Sequence, residues 1–217
     1  MSTSEALAPT PIFAASTRGE ILSVARNLIQ TRSYLGFSFQ DVADRIGIRK
    51  PSLYHYFPSK EALGVEVLQE ATHAFRNWAA ATSDTPELKL NAYFNLYRWN
   101  LRAGLAMCPA GALAPGWDCI EPKLRKAVRS LRDEQVQWLS GVFTSDPRNR
   151  RRADELAAFV FAACQGALLS ARITGAIEDF EAVIAHVRAT IVAKKFTPAA
   201  IAPKKSRAKK VHTVPRS

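Results

Sequence analysis

The stretch that decides the fold is GFSFQDVADRIGIRKPSLYHYFPSKEAL, residues 36–63. Ser38, with Asp41 three residues on, is a capping pair that opens a helix. Val42, Ala43 and Ile46 supply its apolar face, and Gly47 ends it. Ile48 to Lys50 make a tight turn. Pro51 then sits in the first turn of the next helix, where a missing N–H costs little. Leu53 and Phe57, four apart, are that helix's core face. Two short helices joined by a Gly-containing turn make a helix-turn-helix, whose second helix enters the major groove of DNA. The composition of the second helix is unusual for either a core or an ordinary surface. Lys50, Pro51, Ser52, Tyr54, His55 and Tyr56 are left on its other faces or N-terminal end, with Arg49 just before it. Lys50 can donate to guanine O6 and N7, and Pro51 can lie against a thymine methyl. Hydroxyls, and Lys60 beyond, suit phosphate oxygens. Spacing alone equally allows two ordinary packed helices with a solvated face.

Outward from this motif the chain reads as helical throughout, with no convincing strand pair. TRGE, 17–20, offers a capping box with Thr17 as the cap and Glu20 reaching back. Ile21, Leu22, Ala25, Leu28 and Ile29 follow at helical spacing. Pro58 and Ser59 restart the chain into a helix over about 59–81, with Leu63, Val67, Ala71, Phe75 and Trp78 inward. Further helices are expected over about 86–104, 122–144, 153–174 and 177–195. MCPAGALAPGWDCIEP, 107–122, is a loop or broken short helix. Residues 1–15 are rich in Ala, Pro, Ser and Thr and read as flexible, and 196–217 as a disordered basic tail.

Charge and cysteine use narrow the class. The 217 residues carry 30 basic and 19 acidic side chains, +11. Eight basic and no acidic residues lie from Lys194 onward, so residues 1–193 hold 22 against 19, or +3. The basicity therefore belongs to the tail. That tail could add salt-sensitive, sequence-independent DNA affinity or be an inert solubilising extension. Three cysteines without C-x-x-C spacing fit a reducing compartment. The N-terminus does not read as a signal peptide. The charge-free segment 156–171 is short for a membrane span and is broken by Gln165 and Gly166.

Residues 36–63 resemble the DNA-binding domain of the TetR family of bacterial transcriptional regulators. The family pattern runs through Gly36, Ser38, Val42, Ala43, Gly47, Leu53, Tyr54, Phe57, Lys60 and Leu63, and the likeness extends back to about residue 17. The resemblance implies an all-α protein with an N-terminal three-helix DNA-binding domain over 16–76 (motif 38–57). A helical ligand-binding and dimerisation domain would follow over 77–195. It implies a cytoplasmic homodimer, bacterial and nucleoid-associated when bound, that holds a palindromic DNA operator and is released by a small molecule. Ser38 and Gln40 then resemble backbone- and base-facing positions. Lys50, Pro51, Ser52 and Tyr54 resemble the groove-facing set, and Tyr56 and Lys60 phosphate contacts. His55 would face solvent or phosphate. Arg49 departs from the pattern: many members place Ser or Thr there to cap the recognition helix. Arginine cannot accept a bond from helix N–H groups.

The C-terminal half must be read from composition. Tyr93, Tyr97, Asn100, Met107, Cys108, Trp117, Gln135 and Trp138 form an aromatic set with a few polar groups, as an apolar or aromatic effector would need. Singly, each ring would as readily fill a helical core. MCPAGALA resembles a Gly-Cys-x-x-Gly-x-Leu segment of one family branch, with Met107 in place of glycine. Cys108 is thus a candidate reactive thiol or simply a buried one at a bend. The last two helices, one faced with small residues and one with apolar residues spaced 3, 4, 3, 4, could pair across a two-fold axis, although a helix buried within a monomer would look similar. No metal-ligand cluster, cofactor motif or catalytic signature such as HExxH, GxSxG or GxxxxGK[ST] is present, so an enzyme is not expected. A nonspecific architectural DNA-binding protein is the alternative. It would need a more basic folded part than +3 and would have little use for so large an aromatic half.

Overall fold

The helical register of the sequence is realised as eight α-helices and three short 3₁₀ segments, with no strand among the described residues. The computed structural model describes residues 16–82, 85–104, 107–144 and 146–196. The expectations for 1–15 and for the tail fall outside these residues, apart from the backbone of Phe196. The helices are α1 (Thr17–Arg32), α2 (Phe39–Ile46), α3 (Lys50–Tyr56), α4 (Lys60–Ala81), α5 (Pro86–Arg102), α6 (Pro122–Phe143), α7 (Arg150–Thr174) and α8 (Ile177–Phe196). The 3₁₀ segments are Tyr34–Gly36, Gly111–Cys119 and Pro147–Asn149.

Two expected helix starts are corrected. Helix α1 is capped by Ser16, whose Oγ accepts from the Gly19 N–H at 3.2 Å. Thr17 is already helical, and the Glu20 N–H donates to Ser16 O at 3.0 Å. The cap therefore sits one residue earlier than the TRGE reading places it. Helix α7 begins at Arg150 rather than 153, because Arg150–Asp154 and Arg151–Glu155 form ion pairs at i, i+4 and favour the extra turn.

Helices α1 to α3 pack around Ile21, Ala25, Leu28, Val42, Ala43, Leu53 and Phe57, all buried. Helix α4 runs from this group into the second half, packing on α1 at one end and along α6. Helices α6, α7 and α8 pack in sequence, and α5 lies on α6 and α7. By length and composition alone α7 could cross a membrane. Here Leu156, Val160, Cys164, Ala167 and Leu168 of α7 are buried in the protein core.

The α1–α4 contact carries charge. Arg18 forms a two-pronged ion pair with Glu66, and its guanidinium lies 4.7 Å from the centre of the Phe57 ring. One turn along α4, burial raises the Glu70 carboxyl to about 7, helped by the like charge of Glu66 and opposed by Arg26 and Arg18. A carboxyl whose folded pKa exceeds its ordinary value of 4.5 gives a contribution to stability that is complete below pH 4.5. That contribution is lost as pH rises through about 7. Glu70→Gln should therefore stabilise the protein by roughly 1 kcal/mol at pH 8, after allowing for solvent screening, and by almost nothing near pH 4.5. Urea unfolding at the two pH values measures the difference.

Candidate nucleic-acid interface and buried aromatic cluster

Local sequence fixes the pair α2–α3. The Ser38 Oγ accepts from the Asp41 N–H at 3.3 Å, and the Asp41 carboxylate accepts from the Ser38 N–H at 2.8 Å. The capping box expected from sequence is formed. Ser38 Oγ also donates to Asp41 Oδ2 at 2.6 Å, so this hydroxyl is committed to the helix end. Gly47 terminates α2 at φ 72°, a left-handed conformation that favours glycine. Helix α3 starts at Lys50, with Arg49 at its N-cap position making no side-chain capping bond.

Leu53 and Phe57 hold α3 from behind. Each is almost fully buried, worth about 1.5–3 kcal/mol per side chain. Arg49, Lys50, Pro51, Tyr54, His55 and Tyr56 are exposed along the helix, and Ser52 is half-buried. No acidic residue stands in its first turn. The Tyr54 ring packs on Phe39 of α2 with centroids 5.2 Å apart, which fixes the ring while half the side chain stays open to solvent. Gln40 is exposed, and its Nε2 donates to Asp44 Oδ1 at 2.6 Å. This face thus offers cationic, hydroxyl and apolar groups on a short rigid helix, as groove reading and phosphate contact require.

Lys60 is placed differently from the exposed set. Its ammonium donates to Phe37 O and to Tyr34 O, the latter at 2.6 Å. It also lies 4.5 and 4.3 Å from the centres of the Tyr34 and Phe37 rings. Burial lowers its pKa. Lys60 therefore locks the start of α4 to the turn after α1, leaving one N–H for any phosphate. The same turn is fastened to the second half. Gln30 Nε2 donates to Met107 O at 2.8 Å, and Ser33 Oγ to Ala112 O at 2.9 Å. Arg172 of α7 donates to Gln30 O at 3.3 Å and Thr31 O at 2.7 Å, capping the last carbonyls of α1. Leu35 lies over Gly116 so closely that a Cβ there would sit 2.7 Å from Leu35 Cδ1. Ser33 itself has φ 66° and ψ 162°, a strained conformation for a residue other than glycine, and these bonds hold it there.

In the second half, Tyr93 and Tyr97 of α5, one turn apart, meet Gln135 of α6. Tyr93 donates to Gln135 Oε1 at 3.0 Å, Tyr97 lies 3.3 Å from the same oxygen, and the two hydroxyls are 2.9 Å apart. Two phenolic protons thus serve three contacts. Burial raises both tyrosine pKa values well above the ordinary 10. Trp138 stacks on Tyr93 at 5.9 Å and also meets Phe75 and Trp78. Phe180 stacks on Tyr97 at 6.3 Å. The Cys108 and Cys164 thiols are buried among the groups that bear on both tyrosines, and burial raises the Cys164 pKa.

The structure therefore gathers Tyr93, Tyr97, Gln135, Trp138 and Cys108 from the expected set. Met107 is tied instead to α1, its main-chain oxygen accepting from Gln30 Nε2. Trp117 lies apart, under Arg125 and Arg129. Asn100 is half-buried near the end of α5. Sequence reading missed Gln165, whose Nε2 donates to Tyr97 OH at 3.2 Å and whose Oε1 is buried without a hydrogen-bond partner. A Cβ on Gly111 would lie 2.4 Å from that oxygen, so the glycine makes room for it. The visible signal was a lone amide inside the apolar run 156–171.

Comparison with known proteins matches two stretches of the chain. Residues 21–67 match the family described as bacterial regulatory proteins, tetR family. Residues 89–186 match the C-terminal domain of LmrA/YxaF-like transcriptional regulators. The chain is 28% identical over 193 residues to the HTH-type transcriptional repressor NemR of Escherichia coli K12, covering 79% of this chain and 92% of that one. It is 40% identical over 69 residues to the HTH-type transcriptional repressor KstR2 of Mycolicibacterium smegmatis, a match spanning only 32% of either chain. A crystal structure of a TetR transcriptional regulator from Legionella pneumophila superposes with a TM-score of 0.77 at 27% identity, covering 82% of this chain and 98% of that one.

Removing the shared acceptor of the tyrosine pair should expose the cost of the cluster. Gln135→Leu is expected to lower stability by about 1–3 kcal/mol, because a buried hydroxyl loses its acceptor. Tyr97→Phe should cost less. Urea midpoints at unchanged m-value measure both.

Proposed function

We propose, starting from the fact that this chain belongs to the TetR family of bacterial regulatory proteins, that it is a homodimeric repressor released from a palindromic operator by an apolar or aromatic effector. The protein is a DNA-binding transcriptional regulator, and its family acts by binding rather than by turnover. Members bind DNA and small-molecule effectors as dimers. Its place of action is the cytoplasm, with association to the nucleoid while bound forming part of this proposal.

The observation that carries the DNA reading is the exposed face of α3. Lys50, Pro51, Ser52 and Tyr54 are assigned to the groove, and Arg49, His55 and Tyr56 to its edges. At the start of α2, Gln40 is assigned to a base edge, and Ser38 lies beside the backbone with no donor of its own to give, because its hydroxyl and N–H both donate to Asp41. Lys60 supplies at most one donor to phosphate while it holds the α1–α4 turn. We assign the DNA-binding unit to 16–76 and the effector and dimer unit to 77–195, with the continuous helix α4 spanning both.

The apolar residues of α8 that the sequence offered for the two-fold pairing, Phe180, Ile184, Val187 and Ile191, are buried in the chain's own core, so the dimer reading rests on other, exposed faces of α7 and α8. Ala162, Gly166, Leu169 and Ile173 recur at helical spacing on one exposed stripe of α7, with Leu169 48% and Ile173 77% accessible. Ala182, Ala185 and Ala189 form an exposed small-residue stripe on α8. Small residues let helices of two subunits approach closely, and a two-fold axis pairs each stripe with its copy. The effector reading rests on the cluster around Tyr93, Tyr97, Gln135 and Gln165. Its unpartnered Gln165 carbonyl offers an acceptor to a ligand donor within an otherwise aromatic setting. An effector acts by differential affinity for the DNA-binding and released states.

Selection of the full chain against a random duplex pool tests this function. A palindrome with half-sites one helical turn or a multiple apart is expected. Lys50→Ala should weaken binding to the selected duplex by at least about 5-fold, the loss from one base contact of about 1–3 kcal/mol. The paired change Leu169→Glu and Ile173→Glu should give a monomer by sedimentation and abolish tight binding. Recovery of unrelated sequences with uniform affinity would instead identify a nonspecific DNA-binding protein.

A further inference from the structure

Away from both the α3 face and the aromatic cluster, α4 and α6 leave a half-open groove of about 400 Å³ between them. Its walls carry His73 and Arg76 from α4 and Lys123 and Lys126 from α6, with Gln69 and Ser130 as uncharged hydrogen-bonding groups. Each basic pair is three residues apart, so both members of a pair project from one face of their helix, about 4.5 Å apart along the axis. The two pairs border the same groove from opposite walls.

Little negative charge answers these cations. No carboxylate lines the groove. Glu134 ion-pairs with Arg76 from α6 and so answers one of the cations. Neither Lys123 nor Lys126 forms an ion pair with any described residue. Cations gathered in one cleft repel one another and raise the local concentration of anions. Lys and Arg donors converging from two walls suit an acceptor with several oxygens and more than one charge. A volume of about 400 Å³ is in the range of small-molecule sites. The groove also lies where occupancy has a structural consequence, because α4 follows α3 after a break of three residues.

We propose that this groove is a binding site for a small phosphoryl anion of charge −2 or more, held by Lys123 and Lys126 on one side and by Arg76 and His73 on the other. The bound anion bridges α6 to α4, the helix that follows the DNA-reading pair. The site is distinct from the buried cluster and does not depend on the effector proposed there.

Calorimetric titration of the full chain with inorganic pyrophosphate, at constant ionic strength and without DNA, tests the site directly. One saturable site per chain is expected. Lys123→Gln combined with Lys126→Gln should weaken it at least tenfold while leaving the thermal unfolding profile of the free protein in place. Lys204→Gln with Lys205→Gln, in the basic tail, should leave binding unchanged. Absence of saturable binding overturns the proposal. So does equal binding by the groove variant, or loss on changing the tail alone. If the groove variant loses duplex affinity while the wild-type chain does not bind pyrophosphate, the groove is a backbone contact for DNA and the small-anion site is wrong. DNA selection and pyrophosphate titration fail independently of each other.

Discussion

The ammonium group of Lys60 is the fastening on which the DNA-reading end depends. It is drawn from the first turn of α4 into a seat made by two main-chain oxygens and two aromatic faces, those of Tyr34 and Phe37. Hydrogen bonds from a charged donor are worth more than neutral ones, about 1.5–3 kcal/mol each. The seat fixes where α1 ends and α4 begins, and α2 and α3 occupy the chain between those two points. Phe57, the last anchor of α3, is held at the same junction by the Arg18–Glu66 pair stacked on its ring. The orientation of the reading helix is thus set by the α1–α4 junction more than by α3 itself, which is only seven residues long.

The same junction meets the second half. Gln30, Ser33 and Leu35 engage the segment that carries Met107 and Gly116, and Arg172 reaches the end of α1 from α7. Any rearrangement of 107–119 must be absorbed at the strained Ser33 or passed to α1. The aromatic cluster is joined to this segment through Gln165, which touches Tyr97 at one end and sits over Gly111 at the other. Effector binding among the tyrosines would therefore act on the joint through Gln165 and through Cys108, which belongs to that segment and to the cluster. This is a short physical route, made of named hydrogen bonds, by which a C-terminal ligand could bias the position of α3.

Local signals made the helix-turn-helix legible. Ser38 with Asp41, Gly47, Pro51 and the Leu53–Phe57 spacing each specify a conformation within a few residues, and each is found as read. The start of α1 was misplaced because Ser16 and Thr17 are both competent caps and only the backbone decides between them. The start of α7 is expected late because Pro147 and the charges of SDPRNRRRAD, 145–154, read as a turn, whereas two i, i+4 ion pairs carry the helix back to Arg150. Tertiary partners were the hardest to read. Spacing shows that Lys60 lies in the first turn of α4 but not that its ammonium bends inward to Tyr34 and Phe37. Gln165 registered only as an interruption of an apolar run, and Trp117 joined the aromatic set by composition although it packs beneath two arginines. A sequence pattern gives the face of a helix; the identity of what meets that face comes from the packing of distant segments.

Native-state amide exchange, compared residue by residue between the wild-type chain and Lys60→Met, tests whether Lys60 fastens the DNA-reading end. Methionine keeps an apolar stem and removes every donor. If Lys60 is the fastening, the Phe57 N–H bonded to Leu53 O and its neighbours in α2 and α3 should lose about 10- to 100-fold of their protection, the equivalent of one or two charged hydrogen bonds, while amides of α6 and α7 hold theirs. Unchanged protection in α3, with duplex affinity reduced only through a smaller salt dependence, would contradict the account. It would make Lys60 a phosphate contact and nothing more.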